Sequence, residues 1–560
     1  MDISQNIYTQ FKLPIQCIDH TTLSDTILQD LELVGESNIM GTLINSESIY
    51  GQVLQNSWSS HYTTNVTFLK EFQKLMKRYN PVMLEKYNYL QTWGDFKQQT
   101  AFKEKYAFLE WKHLDIFNRS SKCMQIMSCY NLASPAINLC IPFFFLLFPF
   151  ILMKCVHKIP ITFSAYKKLM FQQLKHNVFG KCIQEFSSQG NWDKKMYTLL
   201  GVCFYCFSMY QNTLACVRFY NNLYSIQTFL YLTKQHASYV VNKMDECLPF
   251  IKKYRTMKPF YGMLVQNRNE LCGIIDMLHY VKHDKFAWKR FLKVGSLMSD
   301  VYRLFYDTSV HDTMCYSFGF LGFVDNMNSI HNRIKTKKIR KCLFRNKTVI
   351  KEQYYLPLLD DPNVVTNTVD ITTKNLIITG PNASGKTTLL KTTFINLILS
   401  QQIGFGCYSR CSINPYDCFY SYLNIPDTSG RDSLFQAEAR RCLDILRVIQ
   451  RDSDKRHFCI FDELYSGTNP HEATTSAMCY LEYLTQHNIS FMLTTHYYQL
   501  CDMEQTNDSI QNKHMLCIQN EDDSLVYTYR LKNGKSTVHG GFNVLRDLNY
   551  PDEILQQLDR

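Results

Sequence analysis

The amino-acid sequence predicts an α+β multidomain protein in which a mainly helical region precedes a C-terminal α/β domain. Two patterns predict this class. Residues 1–130 and 220–335 carry apolar residues at helical spacing, with Lys and Arg on the expected solvent faces. From residue 375 onward, short apolar strands alternate with loops and helices, and the first strand ends at a glycine-rich loop. A chain of 560 residues is long enough for several domains with apolar cores.

The composition is that of a globular protein with a basic surplus. Hydrophobic residues make up 46% of the chain and aromatic residues 14%, which argues against long disordered tracts. The net charge of +11 permits an anionic partner, nucleic acid or a membrane surface, without choosing between them. The 21 Cys form no regular disulfide framework, and no secretory signal opens the sequence. Cys203 and Cys206 form a lone CxxC pair without a second pair at zinc spacing, and are interpreted as packing residues.

The pattern along the chain predicts five successive regions. They are a helical N-terminal region (1–130), an apolar helical hairpin with candidate membrane segments (131–220), a second helical region (221–345), the α/β domain (346–545) and a C-terminal helix (546–560).

The hairpin is the ambiguous region. Residues 139–153 pass without a polar side chain, so residues 137–156 form one candidate membrane span and residues 198–217 a weaker second one. A span needs about 20 mostly apolar residues, and the intervening segment is rich in Lys, which is unfavourable for a translocated loop. A re-entrant or interfacial element and a buried helical hairpin are the alternatives. Pro142 and Pro149 are expected to kink any of them.

A basic cluster separates the helical region from the α/β domain. It could contact the phosphates of DNA or of an anionic lipid surface, and it could equally be a solvated helix face or linker. Its members are Arg333, Lys335, Lys337, Lys338, Arg340, Lys341, Arg345 and Lys347.

The glycine-rich loop follows the strand Leu376–Ile378 and fits the pattern G-x-x-x-x-G-K-S/T. Such a loop turns consecutive backbone N–H groups toward a polyphosphate, and the following helix N-terminus adds positive partial charge. Lys386 is expected to reach the β- and γ-phosphates, and the Thr387 hydroxyl to ligate Mg²⁺. The residues predicted to bind ATP here are Gly380, Pro381, Asn382, Ala383, Ser384, Gly385, Lys386, Thr387 and Thr388.

Two further strands complete a site for phosphate hydrolysis. The strand Phe458–Phe461 ends in Asp462, a candidate Mg²⁺ ligand, and Glu463, a candidate to orient and polarise the attacking water. The strand Ile489–Thr495 leads to His496, whose imidazole could sense the γ-phosphate. Glu463 and His496 are therefore the predicted catalytic residues.

Ser433 opens a helix between these motifs. A Ser at a helix N-terminus can donate to a phosphate, including one bound by a partner subunit. A capping box formed with Gln436 is the purely structural interpretation, and both roles can hold together.

Five ordered segments resemble the MutS family of DNA mismatch repair ATPases. They are the phosphate loop Ile377–Thr387, the signature loop Ser433–Glu438, the Walker B segment Phe461–Thr468, the His strand Thr494–Tyr497 and the final strand and turn Tyr529–Val544. The resemblance implies an ABC-type P-loop ATPase head that dimerises around two ATP molecules, with Ser433 serving the partner's site. It also matches Asn382 to the family's phosphate-loop Asn, and the helical regions to its core and lever.

The sequence departs from the family in two places. Tyr465 and Ser466 replace the Gly-Arg of the usual Asp-Glu-x-Gly-Arg-Gly-Thr segment. The family's mismatch-reading domain with its Phe-x-Glu wedge has no evident counterpart, since Phe102-Lys-Glu104 and Phe108-Leu-Glu110 lie in a helical, Lys-rich stretch.

The resulting hypothesis is an ATP- and Mg²⁺-dependent, DNA-binding MutS-like ATPase, a dimeric clamp in mismatch repair or related DNA maintenance. One alternative is a membrane-anchored clamp or scaffold without mismatch recognition, and another is an ABC-type ATPase acting on a protein or lipid partner. The expected partners are a second copy of the chain and DNA, with a membrane as a candidate. The expected location is intracellular, with the ATPase head facing the cytosol and membrane association through residues 137–156 and 198–217 as an option.

Overall fold

A computed structural model gives the structure of the chain. It describes residues 3–35, 38–85, 88–156, 164–168, 192–282, 292–423, 433–520 and 525–538, together with residues 158, 162, 425 and 551. The predicted C-terminal helix over residues 546–560 lies outside the described residues.

Within the described residues, the regular structure of the first half of the chain is helical apart from one two-stranded ribbon. Its elements are α1 (Ile3–Gln10), β1 (Thr21–Thr22), α2 (Asp25–Asp30), α3 (Met40–Leu43), α4 (Ile49–Ser60), β2 (His61–Tyr62), α5 (Val66–Arg78), α6 (Leu90–Lys97), α7 (Phe102–Lys105), α8 (Asp115–Asn118), α9 (Ser121–Ile151), α10 (Trp192–Ile251), α11 (Lys258–Met277), α12 (Val294–Tyr306) and α13 (Thr308–Lys335). Helix α9 continues into a π-helical turn, Leu152–Val156.

The second half alternates strands and helices. Its elements are β3 (Arg340–Phe344), β4 (Val349–Gln353), β5 (Asn367–Asp370), β6 (Asn375–Thr379), α14 (Lys386–Gln402), β7 (Phe405–Gly406), β8 (Arg410–Ile413), β9 (Cys418–Tyr422), α15 (Leu434–Arg451), β10 (His457–Asp462), α16 (Pro470–Gln486), β11 (Ser490–Thr494), α17 (Met503–Thr506), β12 (Ile510–Gln519) and β13 (Leu525–Asn533). The α+β class predicted from the sequence is confirmed.

The chain folds into two compact units, each assembled from separate stretches of sequence. We call residues 89–239 and 270–314 the helical unit, and residues 2–88, 240–269 and 315–560 the sheet unit. The predicted contiguous regions, with boundaries at 130, 220, 345 and 545, stay a prediction.

Aromatic stacking forms the core of the helical unit. The ring of Phe96 lies 3.9 Å from that of Phe229, and the ring of Phe102 lies 3.8 Å from that of Phe305. Offset and stacked aromatic pairs stabilise a core beyond their area burial. Phe102 and Phe108, which match the Phe-x-Glu pattern, are both buried in this unit and are packing residues.

Of the helices within the described residues, none combines the length and apolar character that crossing a membrane requires. The predicted spans over residues 137–156 and 198–217 are therefore not supported. The uninterrupted apolar run of residues 139–153 is shorter than the roughly 20 residues that a span needs. Residues 198–217 are diluted by Gln211 and Asn212.

The sheet unit is organised around a parallel sheet with β6 at its centre. Within the described residues the strand order is β13-β12-β6-β11-β10-β9, and all pairs are parallel except β12 with β13. Strand β6 is buried at every position, which explains its unbroken apolar run in the sequence. Because parallel strands end at one edge of a sheet, the residues that follow β6, β10 and β11 meet there.

A second sheet of the same unit has the order β5-β4-β8-β3-β7. Helix α14 is buried along nearly its whole length and packs against strands of both sheets. The helix that follows the glycine-rich loop is thus fixed from all sides.

Candidate functional site

The glycine-rich loop, residues 380–387, turns sharply between β6 and α14. Gly385 has φ +91° and Ala383 has φ +60°, in the left-handed region that glycine adopts without strain. A Cβ atom on Gly380 would lie 2.9 Å from the Ser384 Oγ. The backbone of the loop therefore depends on small residues, as the motif predicts.

Lys386 is buried beneath this loop. Its Nζ donates to the carbonyl oxygens of Gly380 (3.0 Å) and Pro381 (3.1 Å). Burial lowers the pKa of Lys386, while the carboxylates of Glu463 and Asp462 act in the opposite direction. An ammonium group held in this way is available to a phosphate at the mouth of the loop.

Thr387 and Asp462 meet at the ends of two neighbouring elements. The Thr387 hydroxyl donates to Asp462 Oδ2 over 2.8 Å, and the Thr494 hydroxyl donates to Asp462 Oδ1. Mg²⁺ prefers oxygen ligands and is commonly held by one or two protein groups together with substrate phosphates. Thr387 and Asp462 are suited to that role.

Glu463 and His496 form an ion-pair contact of 2.8 Å between Oε1 and Nε2. The Nε2 atom also lies 3.3 Å from Lys386 Nζ, and one ring nitrogen cannot both donate and accept. We assign the proton of Nε2 to the shorter contact, so that His496 donates to Glu463. This hydrogen bond lowers the pKa of the Glu463 carboxyl, against the effect of burial.

A cavity of about 560 Å³ opens over the loop. The glycine-rich loop and Glu463 form one side of it, and residues that were not predicted to belong to the site form the other. These residues are Gln353, Tyr354, Tyr355, Leu358, Asp361, Asn363, Val364, Val365, Asn367, Met515 and Tyr529. They come from the second sheet, the following loop and the strands β12 and β13. Apart from Tyr529, which opens one of the five family-like segments, no motif indicated them.

The cavity fits a nucleotide by the chemistry of its donors. Ser384 Oγ is buried and has no hydrogen-bond partner among the described residues. Asn382, Ala383 and Thr388 are exposed at the mouth of the loop. In the described part of the chain, no group of three or more His, Cys, Asp or Glu side chains could hold a metal ion.

Ser433 is not brought to this cavity. It caps helix α15 through a complete capping box, in which its Oγ accepts from Gln436 N and its N donates to Gln436 Oε1. The structure therefore bears out the structural interpretation of Ser433. Its predicted role toward a partner's nucleotide stays a prediction.

The fold and the site together define an α+β protein with an ATPase domain. Residues 376–560 match the family MutS domain V. The C-terminal part of the chain thus carries a MutS domain V, and the resemblance to the MutS family seen in the sequence is confirmed.

Similarity to individual proteins extends over part of the chain. The chain is 26% identical over 250 residues to the endonuclease MutS2 of Staphylococcus epidermidis, which covers 44% of this chain and 31% of that protein. It is 26% identical over 187 residues to the DNA mismatch repair protein MutS of Streptococcus suis (33% and 21% covered). It is 29% identical over 213 residues to the DNA mismatch repair protein Msh3 of Dictyostelium discoideum (35% and 14% covered). The match thus spans less than a third of each relative.

Proposed function

We propose that this chain is a P-loop ATPase of the ABC type that hydrolyses ATP with Mg²⁺ and works on DNA as a dimeric clamp. One observation carries the proposal: Lys386, Thr387, Asp462, Glu463 and His496 converge at one sheet edge, where Thr387 bonds to Asp462 and where His496 contacts both Lys386 and Glu463. These are the groups that binding and hydrolysing a nucleoside triphosphate require.

The proposed role of each residue follows from its functional group and its contacts. Lys386 exchanges the loop carbonyls for the β- and γ-phosphates, and the loop N–H groups bind the same phosphates. Bound Mg²⁺ supplies charge neutralisation, with Thr387 and Asp462 as its protein ligands. Glu463 accepts a proton from the attacking water, which requires the ionised carboxylate that its lowered pKa favours. His496 orients Glu463 through the 2.8 Å contact.

DNA is the proposed substrate because of both the family and the surface charge. Lys351 lies opposite Arg410 in the β4–β8 pair, and Lys341 precedes the pair Cys342–Cys411 by one residue on the adjacent strand. All three are exposed, and none makes an ion pair within the described residues. Like charges opposite each other destabilise a sheet, so a phosphate backbone along this row would stabilise it.

The basic cluster of residues 333–347 contains two members that lie near Asp360 and six that are exposed. Arg333 binds Asp360 (2.7 Å) and the carbonyl of Thr42, and Lys338 lies 3.7 Å from Asp360. The other members, Lys335, Lys337, Arg340, Lys341, Arg345 and Lys347, are exposed.

The test is ATP turnover by the full chain with and without Mg²⁺ and duplex DNA. We expect Mg²⁺-dependent hydrolysis that duplex DNA stimulates. A rate of hydrolysis that is unchanged by DNA but raised by a protein or lipid partner would favour the alternative, an ABC-type ATPase that acts on such a partner. Absence of ATP binding would refute the proposal.

A further inference from the structure

The segment that follows Glu463 is fastened to the helix that follows Ser433. Glu438, in α15, is 2% exposed and uses both carboxylate oxygens. Its Oε1 accepts from Ser466 N (3.0 Å) and Ser466 Oγ (2.9 Å), and its Oε2 accepts from Gly467 N (3.1 Å). A buried carboxylate with three donors is a rigid attachment, because removing any donor leaves buried charge unsatisfied.

Packing reinforces the same attachment. A Cβ atom on Gly467 would lie 2.8 Å from both Leu434 Cγ and Phe435 N, so the loop backbone touches the first turn of α15. The rings of Phe435 and Tyr465 are 5.8 Å apart. Glu463 and Tyr465 both have positive φ, +54° and +60°, a conformation that persists only where the surrounding structure holds it.

The attachment lies between two predicted functional residues. Glu438 is five residues from Ser433, about 7.5 Å along the helix axis, and Ser466 is three residues from Glu463. Ser466 also stands where the family segment Asp-Glu-x-Gly-Arg-Gly-Thr has Arg. In this chain the Glu438 carboxylate accepts from one hydroxyl and two backbone N–H groups.

We propose that Glu438 is a positioning residue that couples Glu463, in its own site, to Ser433, which faces the partner's nucleotide. A shift of the Glu463 segment on ATP binding is carried through Ser466 and Gly467 to the start of α15. This inference rests on the proposed function for the role of Glu463, and on the role toward a partner's nucleotide that the resemblance to MutS ATPases predicts for Ser433. It adds a residue and a route of coupling to that function.

The test compares Glu438→Gln and Ser466→Ala with the wild-type chain. The amide of Gln has a single acceptor oxygen, so Glu438→Gln removes at least one of the three hydrogen bonds. We expect a kcat lower by about tenfold, a nearly unchanged KM for ATP, and weaker ATP-dependent dimerisation. Ser466→Ala, which keeps both backbone donors, should give a smaller change in the same direction.

Glu472→Gln is the matched control. Glu472 contacts the same loop, accepting from the Thr468 hydroxyl over 3.0 Å, but it belongs to α16 rather than to α15. The substitution should leave kcat and dimerisation unchanged.

The effects of Glu438→Gln and Ser466→Ala on kcat should be less than additive in the double variant, since both changes weaken the same contact between α15 and the loop. Wild-type kcat and dimerisation in Glu438→Gln would overturn the inference. So would a loss of kcat that tracks a lower melting temperature in both single variants. If the wild-type chain turns over ATP and Glu438→Gln does so with the same kcat and dimerisation, this inference fails and the proposed function stands. If the wild-type chain does not bind ATP, both fail.

Discussion

The Thr387 hydroxyl donates to the Asp462 carboxylate over 2.8 Å, joining the start of α14 to the end of β10. The two residues are 75 positions apart in the chain. This hydrogen bond places two oxygen-bearing side chains, of the kind that Mg²⁺ prefers, close to the buried Lys386.

Asp462→Asn should abolish Mg²⁺-dependent turnover. The amide keeps the size of the side chain but lacks the charge that a divalent cation requires, so we expect kcat to fall by about 100-fold or more. A Mg²⁺ titration of ATP hydrolysis measures it. Asp370→Asn, an exposed change at the end of β5, is the control and should leave turnover intact.

Lys386→Ala should abolish ATP binding. The variant removes the cation that faces the phosphates and leaves the carbonyls of Gly380 and Pro381 without their donor. We expect Kd for a fluorescent ATP analogue to rise by about 100-fold or more. Lys374→Ala, exposed just before β6, should bind normally. Retained affinity in Lys386→Ala would refute the phosphate-loop assignment.

Glu463→Gln should bind ATP, hydrolyse it slowly and accumulate as an ATP-bound dimer. The amide cannot accept the proton of the attacking water, and removing a general base costs about 100-fold or more in rate. Single-turnover kinetics and sedimentation in the presence of ATP measure the two effects. Normal turnover would remove Glu463 as the base.

The three exposed cations of the second sheet, Lys341, Lys351 and Arg410, form a row that should contribute to DNA affinity. The triple variant Lys341→Ala/Lys351→Ala/Arg410→Ala should bind duplex DNA more weakly, and its affinity should depend less steeply on salt. We expect the slope of log affinity against log salt concentration to be smaller by about one unit for each phosphate contact that the variant loses. The matched control is Lys252→Ala/Lys253→Ala/Lys258→Ala, which removes the same charge from exposed positions elsewhere in the sheet unit. Equal reductions of affinity in both variants would mean that net charge, rather than this row, sets the affinity.

The helical unit should become less stable as the pH is lowered, because of His236. Burial lowers the pKa of His236 to about 3, and its ring stacks 4.9 Å from that of Tyr89. The folded state therefore keeps the imidazole neutral while the unfolded chain gains a proton below about pH 6.5. Stability is full above that pH and declines by about 1.4 kcal/mol per pH unit below it, until the folded-state pKa is reached.

Denaturant unfolding at pH 7.5 and pH 5 measures this slope. His236→Phe, which keeps an aromatic ring, should show a shallower pH dependence. His279→Gln, at an exposed position, should keep the wild-type slope. An unchanged slope in His236→Phe would show that other groups carry the acid sensitivity.

Sequence spacing was informative where the chemistry is local. The residues from Gly380 to Thr387 are contiguous, and the loop conformation depends on their small side chains, so the motif alone located the loop of the proposed phosphate site. Asp462, Glu463 and His496 were found because each follows an apolar strand, and parallel strands end at one edge of a sheet. The apolar runs left several alternatives open, since hydropathy alone does not distinguish a membrane span from a long helix of another kind.

The α+β class, the resemblance to the MutS family and the five residues that converge at the sheet edge could all be predicted from the amino-acid sequence, because each is encoded by short-range patterns of residue type. The residues that surround those five could be identified only from the tertiary structure. Tyr529 and Gln353 line the same cavity, and Glu438 binds Ser466, across separations that no periodicity records. Such contacts depend on how strands are ordered and helices packed, which is settled by the burial of the whole core rather than by any local stretch of chain.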